Sequence, residues 1–319
     1  MQTTISKLAA SLASLPTHFK LASGDLIPSI ALGLYQSPPN EAVDAIKVAL
    51  KTGYRHFDTA WVYGNEAALG KAIRESDVPR SEIWVTTKLW NTFHAPADVE
   101  PIFNESLKNL GLDYVDLYLM HWPVAHKRGA YGRTDQELSE NPYPTWQAME
   151  RLVESGKAKN IGVCNFNIRR LEKLMSHPLK VRPAINQVEM HFWNPQPEIV
   201  TWGQANDVVI QAWGPLSGSV GRHWLDKALN APEIKETAEE LGMTPGQVII
   251  SWHIQRGTVV LPKSVTPSRI IENFQVARLP DAAFERIEQA ASAHPRVRLF
   301  DPSHSWGLDV FEEGTYQKR

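Results

Sequence analysis

The sequence predicts one α/β domain folded as a (β/α)8 TIM barrel, with a β-hairpin ahead of it and long loops at its carboxyl face. Short apolar segments alternate with amphipathic helical segments, and 319 residues suffice for one such barrel. The first strand leads into Tyr35-Gln36-Ser37-Pro38-Pro39. A doubly wound sheet that binds a dinucleotide would usually have a glycine-rich turn there, so the pattern favours the closed barrel.

Two segments precede the barrel. Residues 1–17 are an N-terminal extension with one basic residue, Lys7, and no acid, which favours a short surface helix or a frayed tail over a targeting signal. Residues 18–319 form the domain and begin with a hairpin, in which Ser23-Gly24-Asp25 supplies the turn between His18–Ala22 and Leu26–Ile30.

The elements of the barrel follow from apolar runs, prolines in first turns and glycines at boundaries. The predicted strands are Ala31–Tyr35, Tyr54–Asp58, Ile83–Lys88, Val115–His121, Ala158–Cys164, Ala184–Glu189, Val208–Trp213 and Thr258–Leu261. The predicted helices are Glu41–Lys51, Ala67–Glu75, Ala97–Leu110, Pro144–Glu154, Ile168–Met175, Pro197–Gln204, Pro245–Gln255 and Pro267–Val276. Three irregular stretches, Trp122–Tyr143, Gly214–Ala231 and His294–Arg319, are expected to shape a pocket at the carboxyl face.

Bulk composition limits the classes of function. The formal net charge is -2, from 33 basic and 35 acidic residues, which argues against a nucleic-acid or membrane-surface role driven by charge. No apolar run reaches the roughly 18 residues of a membrane helix. Cys164 is the one cysteine, so neither a disulfide within the chain nor a cysteine-based zinc site can form. We expect a cytoplasmic protein that acts as a monomer.

Four residues with exchangeable protons lie at or just beyond the carboxyl ends of successive strands. Asp58, Lys88 and His121 end strands two, three and four, and Tyr63 follows shortly after Asp58. Each residue alone has an ordinary structural explanation, such as a cap or a buried hydrogen bond. Because parallel strands of a barrel end on one face, these four side chains are expected to meet.

Such a set can deliver a proton to a carbonyl oxygen. A tyrosine phenol has an ordinary pKa of about 10, and a neighbouring Lys88 cation is expected to lower the pKa of Tyr63. Asp58 would keep the lysine charged and oriented, and a neutral His121 imidazole would hold the substrate oxygen. The set contains no metal site and no hydride donor, so a cofactor must supply the hydride.

The sequence resembles the aldo-keto reductase family, and within it fungal-type reductases of aldehydes, aldoses and glyceraldehyde, from about residue 18 to residue 300. Long matches carry the resemblance: Gly53-Tyr54-Arg55-His56-Phe57-Asp58-Thr59-Ala60, Tyr63-Gly64-Asn65-Glu66, Thr87-Lys88-Leu89-Trp90, residues 110–123, Asn186-Gln187-Val188-Glu189 and Leu261-Pro262-Lys263-Ser264. The resemblance implies reduction of aldehydes with NADPH bound across the barrel mouth. It also implies that Asp58, Tyr63, Lys88 and His121 are catalytic.

The cofactor residues implied by the resemblance fall into two groups. The nicotinamide group comprises Cys164, Asn165, Gln187, Trp213 and Gly214, and Leu216 beyond it matches a residue that lines the pyrophosphate path. Three of these depart from the family pattern, which has serine at 164, tyrosine at 213 and serine at 214. The 2′-phosphate and adenine group comprises Lys263, Ser264, Val265, Arg269, Glu272 and Asn273. Lys263 and Arg269 supply the positive charge that a phosphate dianion needs near a helix start.

The substrate pocket is expected to have aromatic walls next to His121. The candidates are Tyr35, Trp61, Trp90, Trp122 and, from the terminal stretch, Trp306. Aromatic walls suit apolar aldehydes and the flat faces of sugars. Basic residues at 126–128, Arg296 and Arg298 leave open a uronate (galacturonate-type) reductase, in which Arg298 would bind the carboxylate; plain surface charge is the simpler interpretation.

Two other classes of function remain as alternatives. A non-catalytic, cofactor-sensing regulatory subunit would have no need for the four catalytic residues, and all four are present. A metal-dependent barrel hydrolase is disfavoured, because the 11 histidines show no paired ligand spacing at the strand ends.

Overall fold

The computed structural model describes residues 14–129, 133–218 and 222–313. Most of the predicted N-terminal extension, residues 1–13, therefore lies outside the described residues, as do short parts of the three irregular stretches. Ten strands form the hairpin and the barrel: β1 His18–Lys20, β2 Leu26–Pro28, β3 Leu32–Gly33, β4 His56–Asp58, β5 Trp84–Leu89, β6 Val115–Met120, β9 Ala158–Cys164, β10 Ile185–Glu189, β11 Val209–Trp213 and β12 Val259–Leu261. Two more, β7 Ala125–His126 and β8 Thr134–Asp135, form a small antiparallel pair within the loop after β6.

The predicted barrel is confirmed. The eight strands from β3 to β12, without β7 and β8, lie side by side in chain order and pair in parallel. Parallel bridges join Ile30 to Val260 and Gly33 to Lys263, so the last strand meets the first and the sheet closes. Each strand lies within two residues of its predicted start and end.

The hairpin covers the amino-terminal end of the barrel. β1 and β2 pair antiparallel with Phe19 opposite Ile27. Ile27 and Leu21 are buried in one cluster with Leu117 and Val259, which come from barrel strands. The amino-terminal end is thereby closed with apolar side chains, and the opposite end is left for polar groups.

The helices pack around the sheet and bury the main core between the two layers. They span Pro39–Thr52, Glu66–Arg74, Pro96–Leu110, Gln136–Glu140, Tyr143–Glu154, Ile168–Met175, Pro197–Ala205, Arg222–Leu229, Pro232–Leu241, Pro245–Gln255, Pro267–Phe274, Asp281–Ala293 and Ser303–Trp306. Among the described residues, no helix combines the length and the apolar character needed to cross a membrane.

The helices also correct the sequence interpretation. All eight predicted helices are present, but Pro232–Leu241 and Asp281–Ala293 were not assigned, and the three irregular stretches each contain a short helix. The helix Pro232–Leu241 begins with a proline and is followed by Gly242 in a left-handed conformation, and both are ordinary helix boundaries. Both missed helices pack in a second core cluster, Ile234 and Ile287 being wholly buried there, and this packing stabilises them.

Candidate active site

The ends of three neighbouring strands and one short turn bring the four predicted catalytic side chains together. Asp58 ends β4, Lys88 is the penultimate residue of β5, and His121 directly follows β6. Tyr63 closes a single 3-10 turn that begins at Trp61, so the chain folds back over the strand ends after only a few residues. The side chains meet at the carboxyl face, the end at which barrel enzymes carry their active sites.

A buried ion pair forms the floor of this site. Lys88 Nζ lies 2.5 Å from Asp58 Oδ1 and donates a second hydrogen bond to the carbonyl oxygen of Thr59 at 2.8 Å. The Lys88 side chain is 0% exposed and that of Asp58 only 5%. Burial raises the pKa of Asp58, and the attraction and hydrogen bond of Lys88 oppose that rise. Neither charge could remain in this position without the other.

Tyr63 stands above the ion pair. Lys88 Nζ lies 5.1 Å from the centroid of its ring, and its hydroxyl lies 3.4 Å from His121 Nε2. Burial, with Asp58 second, raises the pKa of Tyr63 well above its ordinary value. The expected lowering by Lys88 is therefore wrong for the protein alone, because Asp58 offsets the lysine charge and the ring is desolvated. The phenol is protonated at neutral pH, the state that a proton donor needs.

His121 is a neutral imidazole, as predicted. Burial, with Lys88 and His94 contributing less, holds the pKa of His121 well below its ordinary value. Its Nδ1 is buried and has no hydrogen-bond partner in the described part of the chain. Trp90 packs edge-on against its ring, with centroids 5.2 Å apart, and Trp122 lies nearly parallel to it. A neutral imidazole beside Tyr63 can donate a hydrogen bond from its N–H group to a carbonyl oxygen.

The predicted nicotinamide residues extend the polar floor from the ion pair across strands β9 and β10. Gln187 Nε2 donates to Asp58 Oδ2 at 2.7 Å. Asn165 adopts φ 64°, a left-handed conformation that asparagine tolerates, and its amide nitrogen donates to the carbonyl oxygen of His121 at 3.0 Å. Cys164 Sγ lies 3.8 Å from Gln187 Oε1, and burial raises the pKa of this thiol. The cysteine is therefore a neutral, weak donor in this position.

Trp213 ends β11 beside this group, and its indole nitrogen donates to Asn165 Oδ1 at 2.9 Å. Gly214 has φ 65°, a left-handed conformation that favours glycine. Leu216 is partly buried against the core. Ser217 Oγ in the same loop is buried without a hydrogen-bond partner among the described residues. The loop thus offers an aromatic face and an unused hydroxyl.

The predicted phosphate residues lie at the start of the helix Pro267–Phe274. Lys263 and Arg269 are exposed, and neither forms a salt bridge within the described residues. Ser264 is buried and accepts the amide hydrogen of Thr266 at 3.0 Å, while Val265 is partly buried. Partial burial lowers the pKa of Lys263. Glu41 acts on Lys263 from a distance, but neither cation forms a salt bridge within the described residues, and two such cations beside a helix N-terminus fit an anionic group.

The predicted adenine residues lie at the far end of the same helix. Glu272 Oε1 accepts a hydrogen bond from Thr244 Oγ1 at 2.7 Å, and Asn273 is buried. Gln247 donates to the carbonyl oxygen of Glu272 at 3.2 Å. These contacts join the helix to its neighbour, Pro245–Gln255, and hold Glu272 in place.

Aromatic side chains surround the catalytic group, as predicted. Tyr35 lies 5.2 Å from Tyr63 between ring centroids, and Trp306 lies 6.4 Å from Trp90 and 5.1 Å from Trp122. Two further rings, Phe300 and Phe311, pack against Trp122 from the terminal stretch. The sequence interpretation missed them, although they stand near Trp306 in a segment already assigned to the mouth.

Trp61 occupies a different position from the other aromatic candidates. Its indole nitrogen donates to Glu105 Oε1 at 2.8 Å, and its ring packs edge-on against Phe93 at 4.9 Å. Its polar end thus faces the helix Pro96–Leu110. Its role in the substrate pocket remains a prediction.

The arginines near the mouth are each paired with a carboxylate. Arg296 forms a two-point contact with Glu198. Arg298 does the same with Glu313, and its guanidinium carbon lies 3.6 Å from the centroid of the Phe311 ring. In the other basic cluster, Arg128 lies 2.6 Å from Asp98. These pairs offset the positive charge that an anionic substrate would require.

A buried carboxylate fixes the terminal stretch to the barrel. Glu189, the last residue of β10, is 0% exposed. Its two oxygens accept the backbone amides of Leu299 at 2.6 Å and Phe300 at 3.0 Å, and His191 Nε2 lies 3.0 Å from Oε1. The segment that carries Trp306 is thereby tied to the strand that carries Gln187.

No group of three or more His, Cys, Asp and Glu side chains in the described ranges could hold a metal ion.

Comparison with known proteins gives close relatives in yeast and human. The chain is 42% identical over 308 residues to glycerol 2-dehydrogenase (NADP(+)) of Saccharomyces cerevisiae, covering 92% of this chain and 96% of the relative. It is 40% identical over 320 residues to aldehyde reductase YPR1 of the same yeast, covering 94% and 98%. Human aldo-keto reductase family 1 member A1 is 40% identical over 281 residues, covering 80% and 83%.

A solved structure and a family model agree with these relatives. The aldose reductase from Schistosoma japonicum superposes with a TM-score of 0.84 at 36% identity, covering 94% of this chain and 99% of that one. The model of the aldo/keto reductase family matches residues 29–292, which hold the whole barrel and all four catalytic candidates. With the ion pair, the phenol and the imidazole gathered at the carboxyl face of that barrel, the chain belongs to the aldo/keto reductase family.

Proposed function

We propose that this protein reduces aldehydes to alcohols with NADPH and that Tyr63 donates the proton. The observation that carries the proposal is the contact of the protonated Tyr63 with the neutral His121 above the buried pair of Lys88 and Asp58. Relatives named as an NADP(+)-dependent glycerol 2-dehydrogenase and as an aldehyde reductase support the same chemistry.

The residues present suit NADPH. Lys263 and Arg269 are free of salt bridges in the described ranges and would bind the 2′-phosphate. Trp213 would stack on the nicotinamide ring, and the amides of Asn165 and Gln187 would hold its carboxamide. Bound there, NADPH supplies the hydride that the side chains of the protein cannot supply.

The side chains have distinct tasks in the proton transfer. His121 Nε2 lies beside the Tyr63 hydroxyl and, as the N–H tautomer, donates to the substrate oxygen. As negative charge grows on that oxygen, the Tyr63 proton moves to it. Lys88, below the ring, stabilises the phenolate that remains, and Asp58 fixes the ammonium group in place. The proton therefore leaves a group of high pKa only when the oxygen has become a stronger base.

Neutral aldehydes are the substrates that the pocket supports best. Its walls are aromatic, and the arginines at its edge are already paired with carboxylates. A uronate reductase remains the second candidate, because Arg298 could exchange Glu313 for a substrate carboxylate. Turnover of glyceraldehyde, aldoses and uronates with NADPH distinguishes them. Loss of uronate turnover in an Arg296→Met/Arg298→Met variant that keeps glyceraldehyde turnover would favour the second candidate.

Replacement of Tyr63 tests the proton donor. The variant Tyr63→Phe keeps the ring over Lys88 and removes the hydroxyl, so kcat for glyceraldehyde is expected to fall by roughly 100- to 10,000-fold. Calorimetric titration with NADP+ is expected to give an unchanged Kd, because the hydroxyl is not among the groups proposed to hold the cofactor. A variant with near-normal kcat would refute the assignment of Tyr63.

Replacement of the two free cations tests the phosphate site. In Lys263→Met/Arg269→Met the Kd for NADPH is expected to rise by about 100-fold, and that for NADH to change by less than about threefold. The exposed Lys180, which pairs with Glu154, provides a matched control in Lys180→Met. Equal losses for both cofactors would overturn the assignment.

A further inference from the structure

Three side chains on neighbouring strands form one polar row beneath the proposed nicotinamide site. In the parallel pairing, Gln187 on β10 stands opposite Cys164 on β9 and opposite Gln211 on β11. Gln187 and Gln211 are almost fully buried, at 2% and 0% exposure. Gln211 is not among the site residues predicted from the sequence, although a long polar side chain in the middle of a buried strand is unusual.

The hydrogen bonds determine how the Gln187 amide is turned. Its Nε2 lies 2.7 Å from Asp58 Oδ2 and 2.9 Å from Gln211 Oε1. A carboxylate only accepts hydrogen bonds, so the group that faces Asp58 must be the amide nitrogen. The second proton of that nitrogen then requires another acceptor, and Gln211 Oε1 provides it.

Hydrogen bonding also determines the orientation of the Gln211 amide. Its oxygen must face the amide nitrogen of Gln187, since its own nitrogen would bring two donors together. Gln211 Nε2 is consequently left buried with no hydrogen-bond partner in the described part of the chain. A buried amide nitrogen without a partner is destabilising, so this arrangement costs stability and calls for a functional reason.

We propose that Gln211 is a positioning residue for cofactor recognition. By accepting the second amide proton of Gln187, it holds the Gln187 nitrogen on Asp58 and turns the Gln187 oxygen toward the nicotinamide site. This inference rests on the proposed function and adds a residue that acts on the cofactor only through another side chain.

The arrangement makes Gln187 an acceptor toward the cofactor. Within the described part of the chain, the hydrogen-bond donor to its Oε1 is the Cys164 thiol at 3.8 Å, and a thiol is a weak donor. Both of its amide protons are engaged elsewhere. The chemistry that suits this oxygen is an N–H donor, which the carboxamide of a nicotinamide carries. A cofactor with a methyl ketone in place of the carboxamide lacks that donor.

Calorimetric binding to two oxidised cofactors tests the proposal without turnover. The probes are NADP+ and its 3-acetylpyridine analogue, which has no amide N–H. The wild-type protein is expected to bind NADP+ about tenfold more tightly than the analogue, because the analogue leaves Gln187 Oε1 without a donor. In Gln211→Met, which has similar length and no oxygen, this ratio is expected to fall to less than about threefold.

Two further variants keep the test decisive. Gln211→Glu is expected to restore the ratio, since a carboxyl buried there is protonated and keeps its carbonyl acceptor. Should Gln211→Met fail to fold, Gln211→Asn withdraws the acceptor by one carbon–carbon bond and is expected to lower the ratio as Met does. An unchanged ratio in the folded Met or Asn variant, or a wild-type protein that binds both cofactors equally, overturns the role of Gln211. Failure of the wild-type protein to bind NADP+ would instead refute the proposed function.

Discussion

The buried pair of Lys88 and Asp58 allows stability and catalysis to be separated in one experiment. Two donors reach the carboxylate from different sides, Lys88 Nζ at Oδ1 and Gln187 Nε2 at Oδ2. Asn in place of Asp58 has one oxygen, so one of these donors must face an amide NH2 group. The substitution also leaves a lysine that is 0% exposed without a counter-charge.

The expected loss follows from that burial. Removal of one partner of a buried ion pair costs roughly 3–5 kcal/mol of unfolding free energy. For a chain of this size that corresponds to a decrease in Tm on the order of 5–8 °C. In the double variant Asp58→Asn/Lys88→Met no charge remains buried in the pair, and most of the lost stability is expected to return.

Chemical denaturation of the wild-type protein, both single variants and the double variant measures the coupling free energy. NADPH consumption with glyceraldehyde measures catalysis in the same four proteins. We expect activity to fall at least about 100-fold in all three variants, including the stable double variant. An Asp58→Asn protein as stable as wild type would refute the reasoning, as would a double variant that loses the sum of the two single losses.

Three other predictions follow from two buried histidines, a close backbone contact and one indole hydrogen bond. Burial lowers the pKa of His56 and of His94 to about 3, so between roughly pH 6 and pH 4 only the unfolded state binds these protons. As the pH falls through this range, each histidine is therefore expected to lower the unfolding free energy by about 1.4 kcal/mol per pH unit. In urea titrations, His94→Gln should reduce the slope of the unfolding free energy against pH by that amount. A Cβ on Gly70 would lie 1.8 Å from the Leu110 carbonyl oxygen, so Gly70→Ala is expected to lose about 3 kcal/mol or more in guanidinium unfolding; a loss below about 1 kcal/mol would show that the helices adjust freely. Trp213→Phe keeps an aromatic face and loses the indole hydrogen bond, and we expect the Kd for NADP+ to rise about 3- to 10-fold by calorimetry; a Kd equal to that of wild type would show that the bond does not position the ring.

The sequence is informative about the catalytic group because the strands fix it. Asp58, Lys88 and His121 each stand at a strand end, and in a parallel barrel all such ends lie on one face. Tyr63 follows within a few residues of β4, so its distance from the others is limited by a short turn. Periodicity and chain order were therefore sufficient to bring these residues together.

Contacts between distant loops could not be predicted in the same way. Arg296 pairs with Glu198 and Arg298 with Glu313, and neither pairing follows from local sequence patterns. The direction of Trp61 toward Glu105 likewise depends on the position of a helix that follows later in the chain. Side-chain direction on an irregular segment is set by tertiary packing, which periodicity does not encode.

The pKa of Tyr63 was predicted in the wrong direction for a related reason. Sequence spacing indicates which charges lie near the phenol, but it does not show how much water the folded protein removes. Burial dominates here, and the Asp58 charge adds to it. The missed helix Pro232–Leu241 is a different case, because its proline start and the glycine that follows it are visible in the sequence.

The seam that closes the barrel has a consequence for how the chain folds. Ala31 donates to the carbonyl oxygen of Val260 at 2.8 Å, and Gly33 donates to that of Pro262 at 3.0 Å. These partners are separated by most of the chain, so they can meet only after nearly the whole protein has left the ribosome, and their pairing is a late step with a large loop-closure entropy. Until then β3 presents an unpaired edge, and during synthesis the nascent chain is expected to depend on a chaperone or on rapid completion to avoid pairing with another copy.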